Sequence, residues 1–164
     1  ISNEVWSSAD GVTWELEADN PDFSPRAQTK LVSFKNKLYA IGGLENPLDP
    51  STGSADDIWS STNGRDWVQE TDAAPYAARF GFEAIVFDNK LFIMAGALAD
   101  GFEMKNDVWY TEDGANWIKQ AENPNFLARF DHTSTVFNDK VFVTAGWYLD
   151  EDTSTYRNDI WLIE

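Results

Sequence analysis

"NDVWYTEDGANW" (106–117) sets two tryptophans around an Asp-Gly pair. The stretch has near copies in "NEVWSSADGVTW" (3–14) and "DDIWSSTNGRDW" (56–67), and a fourth copy begins as "NDIW" (158–161). The first Trp recurs as Trp6, Trp59, Trp109 and Trp161, in steps of 53, 50 and 52 residues. Trp14, Trp67 and Trp117 step by 53 and 50, and so do Arg26, Arg79 and Arg129. Gly43, Gly96 and Gly146 keep the same spacing. Four landmarks in one register make a repeat of about 50 residues the governing feature.

Each unit carries two further apolar runs. "KLVSF" (30–34), "EAIVF" (83–87) and "TSTVF" (133–137) are followed by the pairs Lys35-Asn36, Asp88-Asn89 and Asn138-Asp139. After these pairs come "KLYAIGG" (37–43), "KLFIMAG" (90–96) and "KVFVTAG" (140–146). Two β-rich runs around a two-residue Asn/Asp turn predict a tight hairpin. Their near-continuous apolarity predicts strands covered on both faces. The closing Gly suits a sharp turn or a close backbone approach. The stretch around Asp10-Gly11, Asn63-Gly64 or Asp113-Gly114 predicts a second hairpin, with those pairs supplying positive-φ positions. Each unit is thus four antiparallel strands, A to D, and the fold class is all-β.

This pattern resembles the kelch repeat, in its bacterial kelch-like form, within the superfamily that includes the central domain of galactose oxidase. The likeness rests on an apolar A strand, a B strand ending in Gly-Gly or Ala-Gly, and a C–D hairpin with a late Trp, and it covers nearly the whole chain. It implies β-propeller blades, about three of them, as half or a fragment of a six- or seven-bladed ring. The departures are local. The doublet is intact at Gly42-Gly43 but reads Ala95-Gly96 and Ala145-Gly146, and the Gly-His step after each Arg reads Gln28-Thr29, Gly81-Phe82 and Asp131-His132. The hairpins also resemble the Asp-box of sialidases, one residue short, which reads as a shared turn solution. The copper chemistry of galactose oxidase needs a Tyr-Cys crosslink and paired His. This chain has no Cys and one His.

The strand order reads C-D, A-B-C-D, A-B-C-D, A-B-C, giving segments at 1–18, 26–72, 79–121 and 129–164 of a single propeller unit. Ile1 opens the chain with neither Met nor a basic-plus-apolar leader, so the sequence reads as a mature or excised segment. Either further blades belong to a longer protein, or two chains join as half-rings of a homodimer. In both cases one blade is expected to combine strands from the two ends.

Composition narrows the partners. Twelve Lys and Arg stand against 28 Asp and Glu, a formal net charge of −16. That balance repels a phosphate backbone and an anionic membrane surface. No apolar run approaches the ~20 residues of a membrane-spanning helix. The acidity suits an extracellular, periplasmic or cell-surface setting, with the cytoplasm still open. The absence of Cys excludes disulfides and thiolate chemistry.

Candidate site residues divide by whether they repeat. Asp10, Asn63 and Asp113 interchange Asp and Asn, which suits turn capping better than a charge-dependent site. The recurring Trp residues suit packing between blades. Arg26, Arg79 and Arg129 precede each A strand. The kelch resemblance puts that lead-in at the mouth of the central channel, where three Arg would form a cationic funnel for carboxylates or acidic peptides. The alternative is an ion pair with an acid on a neighbouring blade's loop. Phe80 and Phe130 follow two of them as stacking surface. His132, the single histidine, sits near the inner strand, either in a site or as a satisfied core residue. The acidic B–C loops vary, and specificity commonly resides in such loops. They offer Phe102, Trp147, Tyr148 and Tyr156 to a sugar or peptide, and Asp100, Glu103, Asp150 and Asp152 as weak calcium candidates. No acid–base pair is legible, so the expected role is a non-catalytic module binding a protein, peptide or glycan. A carbohydrate-active enzyme completed by further blades and a purely structural half-ring are the alternatives.

Overall fold

The apolar runs around each Asn/Asp pair form antiparallel hairpins in the computed structural model, which describes residues 2–46, 48–49, 53–99, 103–150 and 153–163. β1 (Val5–Ser7) pairs with β2 (Glu15–Ala18). β3 (Lys30–Phe34), β4 (Lys37–Ile41), β5 (Ile58–Ser61) and β6 (Val68–Thr71) make a four-stranded meander. β7 (Glu83–Phe87), β8 (Lys90–Ala97), β9 (Met104–Thr111) and β10 (Trp117–Ala121) repeat it. β11 (Thr133–Phe137), β12 (Lys140–Thr144) and β15 (Ile160–Ile163) form a three-stranded sheet, and β13 (Trp147–Asp150) pairs with β14 (Thr153–Tyr156) as a separate hairpin. The described residues contain no helix, and none of the sheets closes into a barrel.

The two kinds of hairpin turn differently. Lys35 and Asn36 have φ of 47° and 60°, and Asp88-Asn89 and Asn138-Asp139 behave alike. Two consecutive left-handed residues are the type I′ turn that matches strand twist. The Asp-Gly and Asn-Gly pairs were expected to make a turn of the same tightness, and they do not. Only Gly11, Gly64 and Gly114 are left-handed there. Ser8 to Trp14, between β1 and β2, is a longer loop, held by the side chain of Asp10.

Successive sheets stack through apolar clusters. Phe23, Ala40 and Trp67 join the first two sheets, with Val5, Leu38 and Trp59 around them. Phe34, Tyr39, Ile41 and Ile58 meet Phe82, Leu91, Ile93 and Trp117 between the second and third. Met94, Val108, Phe126, Val141 and Val143 pack between the third and fourth. The first strands β3, β7 and β11 run side by side, tied by Lys30 Nζ to Glu83 Oε1 at 2.9 Å and Asp131 N to Gly81 O at 2.8 Å. Coverage on both faces holds for much of β4 and β8 but fails on parts of β3 and β11. Leu31 of β3 is 57% exposed and Phe137 of β11 is 62% exposed. The two ends of this chain do not combine into one sheet: β1–β2 and β11–β12–β15 stay separate.

Candidate functional site

The three recurring arginines lie under the sheets. Arg79 and Arg129 are 1% and 0% exposed, and Arg26 is also buried. Each guanidinium forks onto the Asp two residues before the first Trp of its own sheet. Arg79 Nη1 and Nη2 donate to Asp107 Oδ1 and Oδ2 at 2.5 and 3.1 Å. Arg129 does the same to Asp159 at 2.7 and 2.8 Å, and Arg26 to Asp57. The indole Nε1 of Trp59, Trp109 or Trp161 donates to that same carboxylate at 2.8, 2.8 and 2.6 Å. Each Nε donates to the carbonyl two residues back, and Arg79 and Arg129 also reach Ala95 O and Ala145 O. Phe23, Tyr76 and Phe126, three residues before each Arg, stack on the guanidinium at 5.8, 5.5 and 5.8 Å. Bidentate pairing plus stacking uses the geometry that distinguishes Arg from Lys. The groups considered for a funnel are therefore engaged within each sheet. The acid also belongs to that sheet, not to a neighbour's loop.

The clamp holds its carboxylates ionised. The Arg129 and Trp161 hydrogen bonds bring Asp159 down to about 2 against the opposing effect of burial. For Asp57 and Asp107, burial works toward the neutral form, and the Arg and Trp hydrogen bonds outweigh it. Gly43 and Gly96 then link sheet to sheet, donating to Arg79 O at 3.4 Å and Arg129 O at 2.9 Å. A Cβ at Gly96 would stand 2.9 Å from Phe80 O, at a φ of +96°. The preceding residue is also left-handed but tolerates Ala, as Ala95 and Ala145 show. This accounts for the Ala-Gly departures from the doublet.

The Asp-Gly stretch is consumed by its own loop. Asp10 Oδ1 accepts from Val12 N and Thr13 N at 2.8 Å each, Asn63 Oδ1 from Arg65 N and Asp66 N at 2.9 Å each. Asp113 Oδ1 accepts from Ala115 N and Asn116 N, and the Asn116 side chain on its other oxygen helps to hold it well below the usual carboxylate range. The hydroxyl of Ser8, Ser61 or Thr111 accepts the following Gly N–H at 2.8 to 2.9 Å.

His132 is 5% exposed, and neither ring nitrogen has a partner among the described residues. Burial, then the charges of Arg129 and Lys30, push its pKa down to about 3. An unfolded imidazole titrates near ~6.5. Between these values the unfolded chain binds a proton that the folded chain refuses, so stability falls as pH drops from about 6.5 toward 3. Asp159 adds a separate loss: its contribution is complete above the ordinary value of 3.8 and fades as pH falls through about 2. His132→Phe places the aromatic ring of Phe82 at the same repeat position. Denaturant titrations of this variant should show a flatter stability profile from pH 6.5 to 4 than the parent. An unchanged slope would assign the acid sensitivity elsewhere.

Side chains that differ from one repeat to the next gather at one end. Leu44 follows β4, Ala97 ends β8, Met104 opens β9 and Trp147 opens β13, and all pack with Phe80 and Phe130. Phe80 and Phe130 are 3% exposed each and meet edge-on at 5.7 Å, so they form the floor of this end rather than an exposed stacking surface. Phe130 lies 4.1 Å from Trp147, centroid to centroid, and Arg157 covers Tyr148 at 5.3 Å. Tyr156 is 82% exposed. Phe102, Asp100 and Asp152 lie outside the described residues, as does the side chain of Asp150. Glu103 pairs with Lys105 at 2.6 Å. No group of three or more His, Asp or Glu among the described residues could hold a metal ion. No helix of the structure is long and apolar enough to cross a membrane. Sequence reasoning missed the β13–β14 hairpin, reading it as loop, and the aromatic three residues before each Arg.

No protein-family model and no curated protein matches the chain. Among solved structures, YjhT superposes with a TM-score of 0.72 at 15% identity. The fold is similar to that of YjhT. The match takes in 97% of this chain, which spans about half, 48%, of the YjhT chain. YjhT is one of 154 solved chains that match. At such low identity the likeness concerns the path of the backbone and not the chemistry.

Proposed function

We propose that the sheets are kelch-type propeller blades, and that the chain is a non-catalytic binding module that engages a protein, peptide or glycan at the end where Leu44, Met104 and Trp147 meet. The four-stranded meanders, the adjacent first strands and the YjhT-like backbone support the blade reading. One observation carries the binding reading. The recurring polar residues are spent on clamps and turns, whereas the β13–β14 hairpin, present in one copy alone among the described residues, displays Tyr156 beside the Arg157–Tyr148 stack. Rigid scaffolds commonly carry recognition on such non-repeating segments.

Glycan and peptide arrays probed with the parent, Tyr156→Ala and Tyr148→Ala test this reading. The expected result is a parent signal lost by about tenfold or more in both variants, with unchanged melting for Tyr156→Ala, since aromatic anchors dominate such contacts. Signal retained in both variants would place binding elsewhere. Turnover in a panel of carbohydrate substrates would favour the enzyme alternative.

A further inference from the structure

A cavity of about 370 Å³ opens between the third and fourth sheets. Its apolar lining includes Phe87, Phe92, Met94, Val108, Pro124 and Val141, with Ala121 beside them. Stepping back by one repeat, 53 residues for the first three and 50 for the others, gives Phe34, Tyr39, Ile41, Ile58, Ala74 and Leu91. Those six belong to the cluster between the second and third sheets, and Trp117 is part of the same cluster. Trp117 is 7% exposed and meets Tyr76 edge-on at 5.4 Å. The same lining is thus filled by an indole in one place and open in the other. Trp117 opens β10, the fourth strand of its sheet, and the sheet of β11, β12 and β15 has three strands.

The chain carries a matching indole at its other end. Trp14 immediately precedes β2, as Trp67 precedes β6, yet Trp14 is 57% exposed where Trp67 is 6% exposed. Trp6, Leu16 and Leu31 nearby are exposed as well. The backbone ends also complement one another. Gly43 N and Gly96 N each donate to the Arg carbonyl of the next sheet. Among the described residues Gly146 N has no such acceptor and Arg26 O no such donor. Lys90 lines the open cavity beside Asp88, so its rim carries one charge of each sign.

We propose that the cavity beneath β8 and β12 is an indole seat, and that Trp14 of a second copy of this chain fills it. β15 keeps its Asp159–Arg129 clamp, so β2 of the second copy takes the fourth position on the edge of β15. β1, three residues long and, among the described residues, paired with β2 alone, is the redundant third strand and gives way. Two-fold repetition of this contact joins both pairs of ends. The proposal rests on the sheet ends and does not depend on ligand binding at the loop end.

Light scattering after size exclusion, from low to high micromolar concentration, tests it on the whole chain. The parent should approach twice 18.5 kDa. Trp14→Ala, which removes an exposed side chain, should melt as the parent does at concentrations where both are single chains, yet raise the dimer dissociation constant by about 30-fold or more, as truncating an interface Trp does. Tyr156→Ala should leave the mass unchanged, which separates this contact from the loop-end site. A parent that stays at 18.5 kDa throughout, or a Trp14→Ala chain that associates as the parent does, overturns the proposal.

Discussion

Arg79→Ala is expected to lower the unfolding free energy by about 3–5 kcal/mol, the cost of breaking a buried ion pair by removing one partner. Arg79 is 1% exposed, forks onto Asp107 and donates to Ala95 O and Ala77 O. Its loss leaves Asp107 with Trp109 Nε1 alone among these partners. The melting temperature of a chain this size should fall by roughly 6–20 °C. Arg79→Lys should recover only part of this, because an ammonium cannot make the parallel pair of hydrogen bonds. A variant that melts like the parent while losing a ligand would restore the cationic-funnel reading.

Trp117→Ala should cost a comparable ~3–5 kcal/mol, as large-to-small changes at a packed aromatic do. Trp117 closes the cluster between the second and third sheets, and Gly114 lets its loop lie on Tyr39. The internal control is Trp14→Ala. The same residue at the same repeat position is 57% exposed, so its truncation in the single chain should stay within about 0.5 kcal/mol. Denaturant unfolding of both variants at low protein concentration checks the contrast. Equal losses would mean that Trp14 is already packed.

The period of the Trp, Arg and Gly series was enough to lay out the strands of the first four sheets in order, because a β-repeat places equivalent residues at equivalent contacts. The I′ turns were legible from Asn and Asp. The looser turn around Asp10 was not, since Asp-Gly suits both a tight hairpin and a side-chain-capped loop, and the choice depends on whether Oδ1 takes the amides two and three residues on. Arg79 was visible as a repeating residue, but its partner was not. Asp107 lies 28 residues away and is brought opposite by β8, which lies between β7 and β9. Tyr76 and its mates share the period of the Arg series and could have been found from it. The β13–β14 hairpin could not, because it breaks the repeat, and the candidate binding end rests on that break.

The claim that the recurring Arg, Asp and Trp residues are scaffold is tested most directly by a double-mutant cycle on Arg79 and Asp107, read by denaturant unfolding. Arg79→Ala and Asp107→Ala should each destabilise strongly. The double variant should lose far less than the sum, with a coupling in the upper part of the ~0.5–3 kcal/mol range of interacting pairs. Additive losses, with no coupling, would contradict the account.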